Sequence, residues 1–170
     1  MSIDLSALGD MTYGLYIVGA HDGSSKVNAM IANSVFQVTA SPCKIAACIN
    51  KQALTHSYIQ KSGWFSVQVI KEDADMVFIG NFGFRTGKDF DKFAKYKWQP
   101  TENKLPCALE NVLSILEIKV AQVVDFGTHT MFVGDMLASR VLDEGAPLTY
   151  KYYQRVMCGK TPRGATTFKG

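Results

Sequence analysis

The sequence has no long apolar run and no closely spaced cysteines, and both absences narrow the class of protein. No apolar stretch approaches the roughly 20 residues of a membrane-spanning helix, and the N-terminal MSIDLSALGDM lacks the basic-then-apolar order of a signal peptide. No CxxC or Cys–His pair has metal-ligand spacing, so we predict no metal site. We expect a cytoplasmic protein without membrane association, with the free thiols Cys43, Cys48, Cys107 and Cys158.

The sequence also lacks a large excess of either positive or negative charge. The 170 residues carry 18 Lys and Arg against 15 Asp and Glu, for a formal net charge of +3, and the two signs are interleaved. This balance, without a basic run, gives no reason to expect nucleic acid as a partner. Hydrophobic residues make up 47% of the chain, which is enough to bury a core. Since no repeat or linker divides the chain, we predict a single domain over residues 1–170.

The dominant pattern is that of β-strands. Aromatic and β-branched residues are concentrated in segments that turn residues separate, and Asp22-Gly23 between the first two predicts a hairpin. The predicted strands cover residues 13–20, 26–34, 43–50, 63–70, 112–127, 129–142 and 148–156.

Helical signals are fewer and fall in the middle of the chain. We predict helices over residues 54–63, with Thr55 as cap and Gly63 as stop, over residues 73–83, and over residues 87–94. Strands and helices do not alternate, which disfavours a doubly wound parallel sheet. The prediction is a mainly β protein with a few helices packed outside a closed antiparallel barrel.

Three familiar motifs are absent. The segment GFRTGKD, residues 83–89, is one residue short of a P-loop and carries Asp89 where that loop needs Ser or Thr for magnesium. No GxGxxG follows a strand, so a Rossmann dinucleotide site is excluded. No segment resembles the nucleophile elbow of a hydrolase.

The segment NAMIANSVFQVT, residues 28–39, has an unusual composition for a strand. Small and amide side chains fill its first half, where a core strand carries bulk. A wall that lies against a flat ligand and a loosely patterned strand both fit this pattern. We expect Phe36 and Val38, which follow, to belong to the core.

Three other segments have both a structural and a functional interpretation. CINKQALTH, residues 48–56, is either a capped helix with a solvated Lys51 or a phosphate seat at a strand end and helix N-terminus. NFGFRTGKDFDKF, residues 81–93, is either a connection between helices or a flap that carries Phe84 and Arg85 over a ligand. His129 is either a hydrogen-bonded structural residue or a ligand contact. The residues alone favour the structural interpretation of each.

In combination, these segments resemble one known family. YGLYIVGAHDG, KVNAMIANSVFQVT, IAACINK, FIGNFGFRTGKDFDKF, GTHTMFVGDM and PLTYKYY follow one another as in the flavin reductase-like, FMN-binding split-barrel family, over about residues 12–168. The ferric reductase and flavoredoxin-type branch is the most similar. That branch includes flavin domains fused to rubredoxin, but the CxxC pairs of a rubredoxin module are missing here.

The resemblance implies a Greek-key split β-barrel, usually a homodimer with FMN near the dimer interface. It implies that residues 28–31 line the isoalloxazine ring, largely through backbone groups: Asn28, Ala29, Met30 and Ile31. Asn33 and Ser34 are implied to hold ribityl or phosphate oxygens.

The same resemblance implies positions for the other contacts. Cys48 would lie against the ring, with Asn50 and Lys51 toward the phosphate. Thr55 and His56 would complete the phosphate seat at the helix start. The contacts that close the site from outside are implied to be Phe84 and Arg85, with His129 approaching the ring from the far side.

The implied reaction is hydride transfer from NADH or NADPH, a dissociable co-substrate, to FMN. Electrons then pass to free flavin, a ferric chelate or a redox protein. The candidate catalytic residues are His129 and Cys48. Two alternatives stay open, namely an FMN electron carrier without NAD(P)H activity of its own and a non-enzymatic module that binds flavin or haem.

Overall fold

A computed structural model describes residues 3–168, which fold around a seven-stranded antiparallel sheet. The strands of this sheet are β1 Tyr16–His21, β2 Val27–Ala32, β3 Val35–Ala40, β4 Cys43–Asn50, β5 Trp64–Ile70, β8 Val112–Asp125 and β9 His129–Val141. A two-stranded ribbon consists of β6 Trp98–Pro100 and β7 Pro106–Ala108. The predicted domain ends, residues 1 and 170, lie outside the described residues.

The spatial order of the sheet is β2-β1-β5-β8-β9-β4-β3. Strands β4 and β5 follow each other in the chain, yet they lie on opposite sides of the β8–β9 hairpin, β5 against β8 and β4 against β9. This non-adjacent connection is that of a Greek key. The predicted hairpin at Asp22-Gly23 joins β1 and β2. The mainly β, antiparallel prediction is therefore confirmed.

Three helices and a 3₁₀ helix, Leu5–Asp10, complete the described chain: α1 Leu54–Ser62, α2 Met76–Phe84 and α3 Tyr150–Arg155. Helix α1 ends as predicted, because Gly63 takes the left-handed conformation (φ 72°) and donates its N–H to Ile59 O. The N-cap of α1 is Ala53, so the prediction of Thr55 as cap is wrong. Thr55 lies one residue inside the helix and its hydroxyl has another partner.

Two element predictions fail for identifiable reasons. Residues 148–156 were predicted as a strand, but they form α3, which Thr149 caps by accepting the N–H of Tyr152 (3.2 Å) and which buries Tyr153 in the core. Residues 87–94 were predicted as a helix and form turns instead. There the Asp91 carboxylate accepts the N–H of Phe93 (2.9 Å), a local hydrogen bond that competes with helix formation.

The core has two parts, which differ in the helices that they include. Helices α2 and α3 pack Phe78, Phe82 and Tyr153 against β1 and β5, while Ile49, Phe132 and other residues of β4, β5 and β9 form the second cluster with α1. Burial of these aromatic and branched side chains is the main stabilising term of the fold.

Strand β3 corrects the prediction for Phe36 and Val38, whose exposed fractions are 53% and 45%. Val35 lies opposite Ala47 and is buried, so the core face of β3 is the Val35 face. Every residue from Phe36 to Ala40 is exposed, and the β3–β4 register shifts between Gln37 and Thr39. The core contact of β3 is therefore limited to Val35, whereas Phe36 and Val38 form an exposed apolar face. Within residues 3–168, β3 pairs only with β4, so this apolar face lies at an edge of the sheet.

Candidate functional site

The site lies where strand β2, at one edge of the sheet, approaches β4 beside the other edge. Between them is a cavity of about 50 Å³, which we call the inner cavity. Its walls contain half of the fourteen predicted contact residues: Met30, Ile31, Asn33, Cys48, Asn50, Phe84 and His129. The fold thus brings together residues that are up to a hundred positions apart in the chain.

A second cavity of about 420 Å³, the outer cavity, adjoins the inner one near the start of α1. Met30, Ile31, Asn50 and Phe84 line both cavities. The outer cavity adds three more predicted contacts: Asn28, Thr55 and Arg85.

His129 is the residue whose environment points most directly to a ligand. It lies opposite Asn50 in the β4–β9 pairing, at the first position of β9. Its Nδ1 is 2.9 Å from the Thr128 hydroxyl, whereas its Nε2 is buried and has no hydrogen-bond partner within residues 3–168. An unsatisfied buried polar atom costs about 1–3 kcal/mol, so this nitrogen favours a polar ligand in the inner cavity.

Cys48 lies two residues from Asn50 on β4 and is half-buried. Because burial disfavours the thiolate, the pKa of the Cys48 thiol is raised above its ordinary value. At neutral pH the cavity wall therefore presents a protonated, polarisable thiol and not a nucleophile. The backbone N–H of Cys48 donates to Ser34 O (2.9 Å), which joins β4 to the turn after β2.

The outer cavity is held by contacts between β2, α1 and the segment after α2. The Asn28 amide donates to the Thr55 hydroxyl (2.8 Å) in a buried hydrogen bond that fixes the start of α1 on β2. Arg85 follows α2, and its guanidinium lies 4.2 Å from the centre of the Phe90 ring. A cation and the N-terminus of α1 therefore line the same cavity.

Four predicted contact residues line neither cavity: Ala29, Ser34, Lys51 and His56. Ala29 is fully buried in the core, and the Ser34 hydroxyl makes a 3.4 Å contact with Asn33 Oδ1. The ammonium group of Lys51 pairs with Asp125 at 2.7 Å. His56 Nε2 is 2.8 Å from the Thr130 hydroxyl, and burial, with a smaller effect of Lys51, lowers the pKa of His56.

Several cavity residues were missed by the sequence reasoning, and most of them are C-terminal. Tyr150 and Tyr153 of α3 line the inner cavity, and so do residues 160–162 and 164–166. The incorrect strand prediction for residues 148–156 hid them, because a strand there gives no reason to place these rings on the site. A Thr at position 149 followed by a tyrosine-rich segment was the available signal for a capped helix.

Comparisons with known proteins fit this geometry. The family model described as "Flavin reductase like domain" matches residues 8–160. The chain belongs to the flavin reductase-like family. This flavin reductase-like chain is 43% identical to the high molecular weight rubredoxin of Moorella thermoacetica. The alignment covers 98% of this chain and 72% of that relative. It is 39% identical to the ferric-chelate reductase (NAD(P)H) of Archaeoglobus fulgidus, over 98% of each protein.

Solved structures agree with the flavin reductase-like fold. The flavoredoxin of Methanosarcina acetivorans superposes with a TM-score of 0.70 and 25% identity, over 86% of this chain and 80% of that one. The NADH:FAD oxidoreductase of Streptomyces globisporus C-1027 gives a TM-score of 0.76 and 22% identity, over 88% and 91%. The split-barrel prediction is confirmed, and the chain is a flavin-dependent oxidoreductase, which removes the alternative of a non-enzymatic module.

Two further observations concern the described part of the chain. Within residues 3–168, no helix combines the length and the hydropathy that a membrane span requires. In the same range, His, Cys, Asp and Glu side chains form no group of three or more that could hold a metal ion.

Proposed function

We propose that the chain is an FMN-dependent oxidoreductase that takes hydride from NADH or NADPH and passes electrons to an acceptor such as free flavin, a ferric chelate or a redox protein. The observation that carries this proposal is the inner cavity, where Cys48, Asn50 and the unpartnered Nε2 of His129 meet strand β2. The 39% identical ferric-chelate reductase (NAD(P)H) supports the choice of electron donor.

When bound, the flavin supplies the capacity to accept a hydride and release electrons, and the chain supplies binding and orientation. The small and amide residues among positions 28–34 would let the backbone of β2 lie close to the ring. Asn33 and Asn50 would donate amide hydrogens to polar atoms of the cofactor. His129 Nε2 would form the hydrogen bond that it lacks in the described protein. Orientation of donor and acceptor is then the main catalytic contribution.

The phosphate of FMN is proposed to bind in the outer cavity. Arg85 provides a positive charge there, and α1 begins at the cavity wall without a side-chain cap. The N–H groups of Leu54 and Thr55 therefore remain available for an anion, whereas that of His56 donates to Ala53 O (3.1 Å). Thr55, which accepts from Asn28, would donate its own hydroxyl hydrogen to a phosphate oxygen.

The proposed reaction is tested by anaerobic stopped-flow mixing of the FMN-loaded protein with NADH or NADPH, followed by mixing with FMN or ferric-EDTA. We expect loss of the oxidised flavin absorbance with at least one nucleotide and its return with an acceptor. A cofactor that neither nucleotide bleaches would overturn the hydride-transfer proposal.

A second function is an FMN electron carrier that lacks NAD(P)H activity of its own. The 43% identity to a high molecular weight rubredoxin and the similarity to a flavoredoxin favour this alternative. The same experiment separates the two functions: a carrier is reduced by dithionite or a reduced redox protein and not by either nucleotide.

The chain is further proposed to form a homodimer. Phe36 and Val38 expose an apolar face on the edge strand β3, which immediately follows Asn33 and Ser34. A second copy that covers this face would remove two large side chains from water.

A further inference from the structure

The residues after α3 form a segment that lies across the candidate flavin site. We call residues 159–168 the C-terminal strap. The Asn33 amide donates to the Thr167 hydroxyl (2.7 Å), and the Asn50 amide donates to Gly164 O (3.1 Å). Both amides that are proposed to bind the cofactor are therefore engaged by the chain's own C-terminal part.

The strap is also attached to α3, by hydrogen bonds that involve the hydroxyl groups of two tyrosines. The Tyr153 hydroxyl donates to Lys160 O (3.0 Å), and the Tyr150 hydroxyl is hydrogen-bonded to Thr161. The Thr167 hydroxyl donates to the Tyr150 oxygen (3.0 Å). Thr167 thus accepts from Asn33 and donates to Tyr150, which makes it the link between the strap, α3 and strand β2.

The strap divides the site into its two cavities. Pro162, Gly164 and Ala165 line both the inner and the outer cavity. The inner cavity, at about 50 Å³, is far smaller than the roughly 300–1,000 Å³ of small-molecule sites. Displacement of the strap would join the two spaces into one site and free the Asn33 and Asn50 amides.

Displacement of the strap would break its hydrogen bonds to α3 but would cost little apolar burial. Within residues 159–168, no side chain is fully buried, so little apolar surface would be newly exposed to water. Each asparagine amide would exchange a chain acceptor for a cofactor acceptor, which keeps both donors satisfied.

We propose that the C-terminal strap is a tethered competitor of the flavin, and that Thr167 sets the affinity for FMN by holding the strap on Asn33. This inference rests on the proposed function, since it assumes that FMN binds between β2, β4 and β9. A competitor on the same chain acts at a fixed effective concentration and lowers the apparent affinity by the fraction of protein in the closed state.

The test is the affinity for FMN, measured by quenching of flavin fluorescence, in the full-length protein and in Thr167→Val. Loss of the hydroxyl should tighten FMN binding by about 2- to 10-fold, the factor that corresponds to one ordinary hydrogen bond. Thr12→Val is the matched control, because the exposed Thr12 side chain makes no hydrogen bond within the described residues and lines neither cavity. Thr167→Ser keeps the hydroxyl and should bind FMN like the wild type.

Tryptic cleavage after the exposed Arg163 provides a second measurement. FMN should accelerate this cleavage if it displaces the strap. Weaker or unchanged FMN binding in Thr167→Val, or protection of Arg163 by FMN, would overturn the proposal. If the wild type binds no FMN, binding gained in Thr167→Val would assign the failure to the strap. No binding in either protein would overturn the proposed cofactor and the competitor together.

Discussion

At the scale of single residues, the least expected feature is a lysine in the protein interior. Lys92 is 5% exposed, and its ammonium group donates to Ala29 O (2.9 Å) and Phe82 O (3.1 Å), which joins β2 to the end of α2. Within residues 3–168, no carboxylate forms an ion pair with it. Burial lowers the pKa of Lys92 to about 8, because the charged form loses its hydration.

This buried lysine predicts a pH dependence of stability. The folded pKa lies below the ordinary lysine value of 10.5, so the unfolded chain binds more protons between these two values. The contribution of Lys92 to the free energy of unfolding therefore rises with pH in that window. Relative to Lys92→Met, the wild type should gain about 2 kcal/mol between about pH 7 and about pH 9.5. Urea unfolding of both proteins at each pH measures this difference.

The control for this comparison is Lys95→Met, which changes an exposed lysine three residues away. Burial also raises the pKa of the Cys48 and Cys107 thiols, but any contribution of these groups to the pH dependence is common to all three proteins. A constant difference between the wild type and Lys92→Met across the pH range would show that the Lys92 charge is not destabilised by burial.

Two cations near the site predict different effects on FMN binding. Arg85 lines the outer cavity, whereas the Lys51 ammonium is paired with Asp125 and lines neither cavity. Arg85→Ala should weaken FMN binding by about 1.5–3 kcal/mol, the range for a charge-assisted hydrogen bond. Lys51→Ala should change it by less than about 1 kcal/mol, as for an exposed ion pair.

Titration calorimetry with FMN and with riboflavin measures both effects. Riboflavin lacks the phosphate, so its affinity should be the same in Arg85→Ala as in the wild type. The reverse ranking, with Lys51→Ala as the weaker binder of FMN, would place the phosphate where the family resemblance implies it, toward Lys51.

At the scale of elements, the secondary-structure predictions that rest on local signals are correct, and those for two segments with strong tertiary contacts are wrong. Hydrophobic alternation and a left-handed Gly63 are local signals, and the strands and the end of α1 follow them. The segments 87–94 and 148–156 depend on tertiary contacts. Lys92 is buried against β2, and Tyr153 packs into the core beside α2, so neither segment adopts the conformation that its residue pattern indicates.

An alanine substitution should have opposite effects on stability at two glycines, Gly80 in α2 and Gly87 in the turn that follows α2. A Cβ atom at Gly87 would overlap the Asn28 amide, which holds β2 on α1, whereas a Cβ at Gly80 in α2 would meet no atom within 4 Å. Gly87→Ala should destabilise the protein by about 1–3 kcal/mol. Gly80→Ala should stabilise it by about 0.5–1 kcal/mol, because alanine loses less conformational entropy in a helix.

Thermal or urea unfolding measures the two glycine variants, each of which serves as the control for the other. Equal stability of Gly80→Ala and Gly87→Ala would contradict the close packing of residue 87 on Asn28. Since Asn28 also lines the outer cavity, Gly87→Ala should in addition weaken FMN binding, whereas Gly80→Ala should not.

At the scale of the whole molecule, the exposed face of β3 predicts the oligomeric state. The wild type should sediment with about twice the chain mass of 18.7 kDa. Phe36→Asp should shift it to the monomer, because burial of an unpaired carboxylate at an apolar interface is unfavourable. Val77→Asp is the control, since Val77 is 70% exposed on α2 and lies outside the β3 face.

Sedimentation equilibrium over a range of protein concentrations distinguishes the outcomes. A monomeric wild type at concentrations of about 100 μM would contradict the homodimer, since obligate interfaces are stable well below this concentration. An equal effect of Phe36→Asp and Val77→Asp would mean that β3 is not the contact surface.

The sequence by itself determined the strand-rich class of this protein, the order of its motifs and their similarity to the flavin reductase-like family. Those properties depend on residue type and on spacing along the chain, which need no knowledge of distant contacts. It also placed ten of the fourteen predicted contact residues in segments that reach one pair of cavities. The single-domain prediction for residues 1–170 stays a prediction.

Only the tertiary structure decided which face of NAMIANSVFQVT is buried, where Lys51 points and what covers the site. Strand periodicity defines two faces but not which residues meet the core, and in β3 only Val35, opposite Ala47, is buried, whereas Phe36 and Val38 are exposed. The Asp125 partner of Lys51 is 74 residues away, and Thr167 is 134 residues from Asn33. Such contacts form because the sheet and α3 bring distant segments together, which local patterns along the chain do not record.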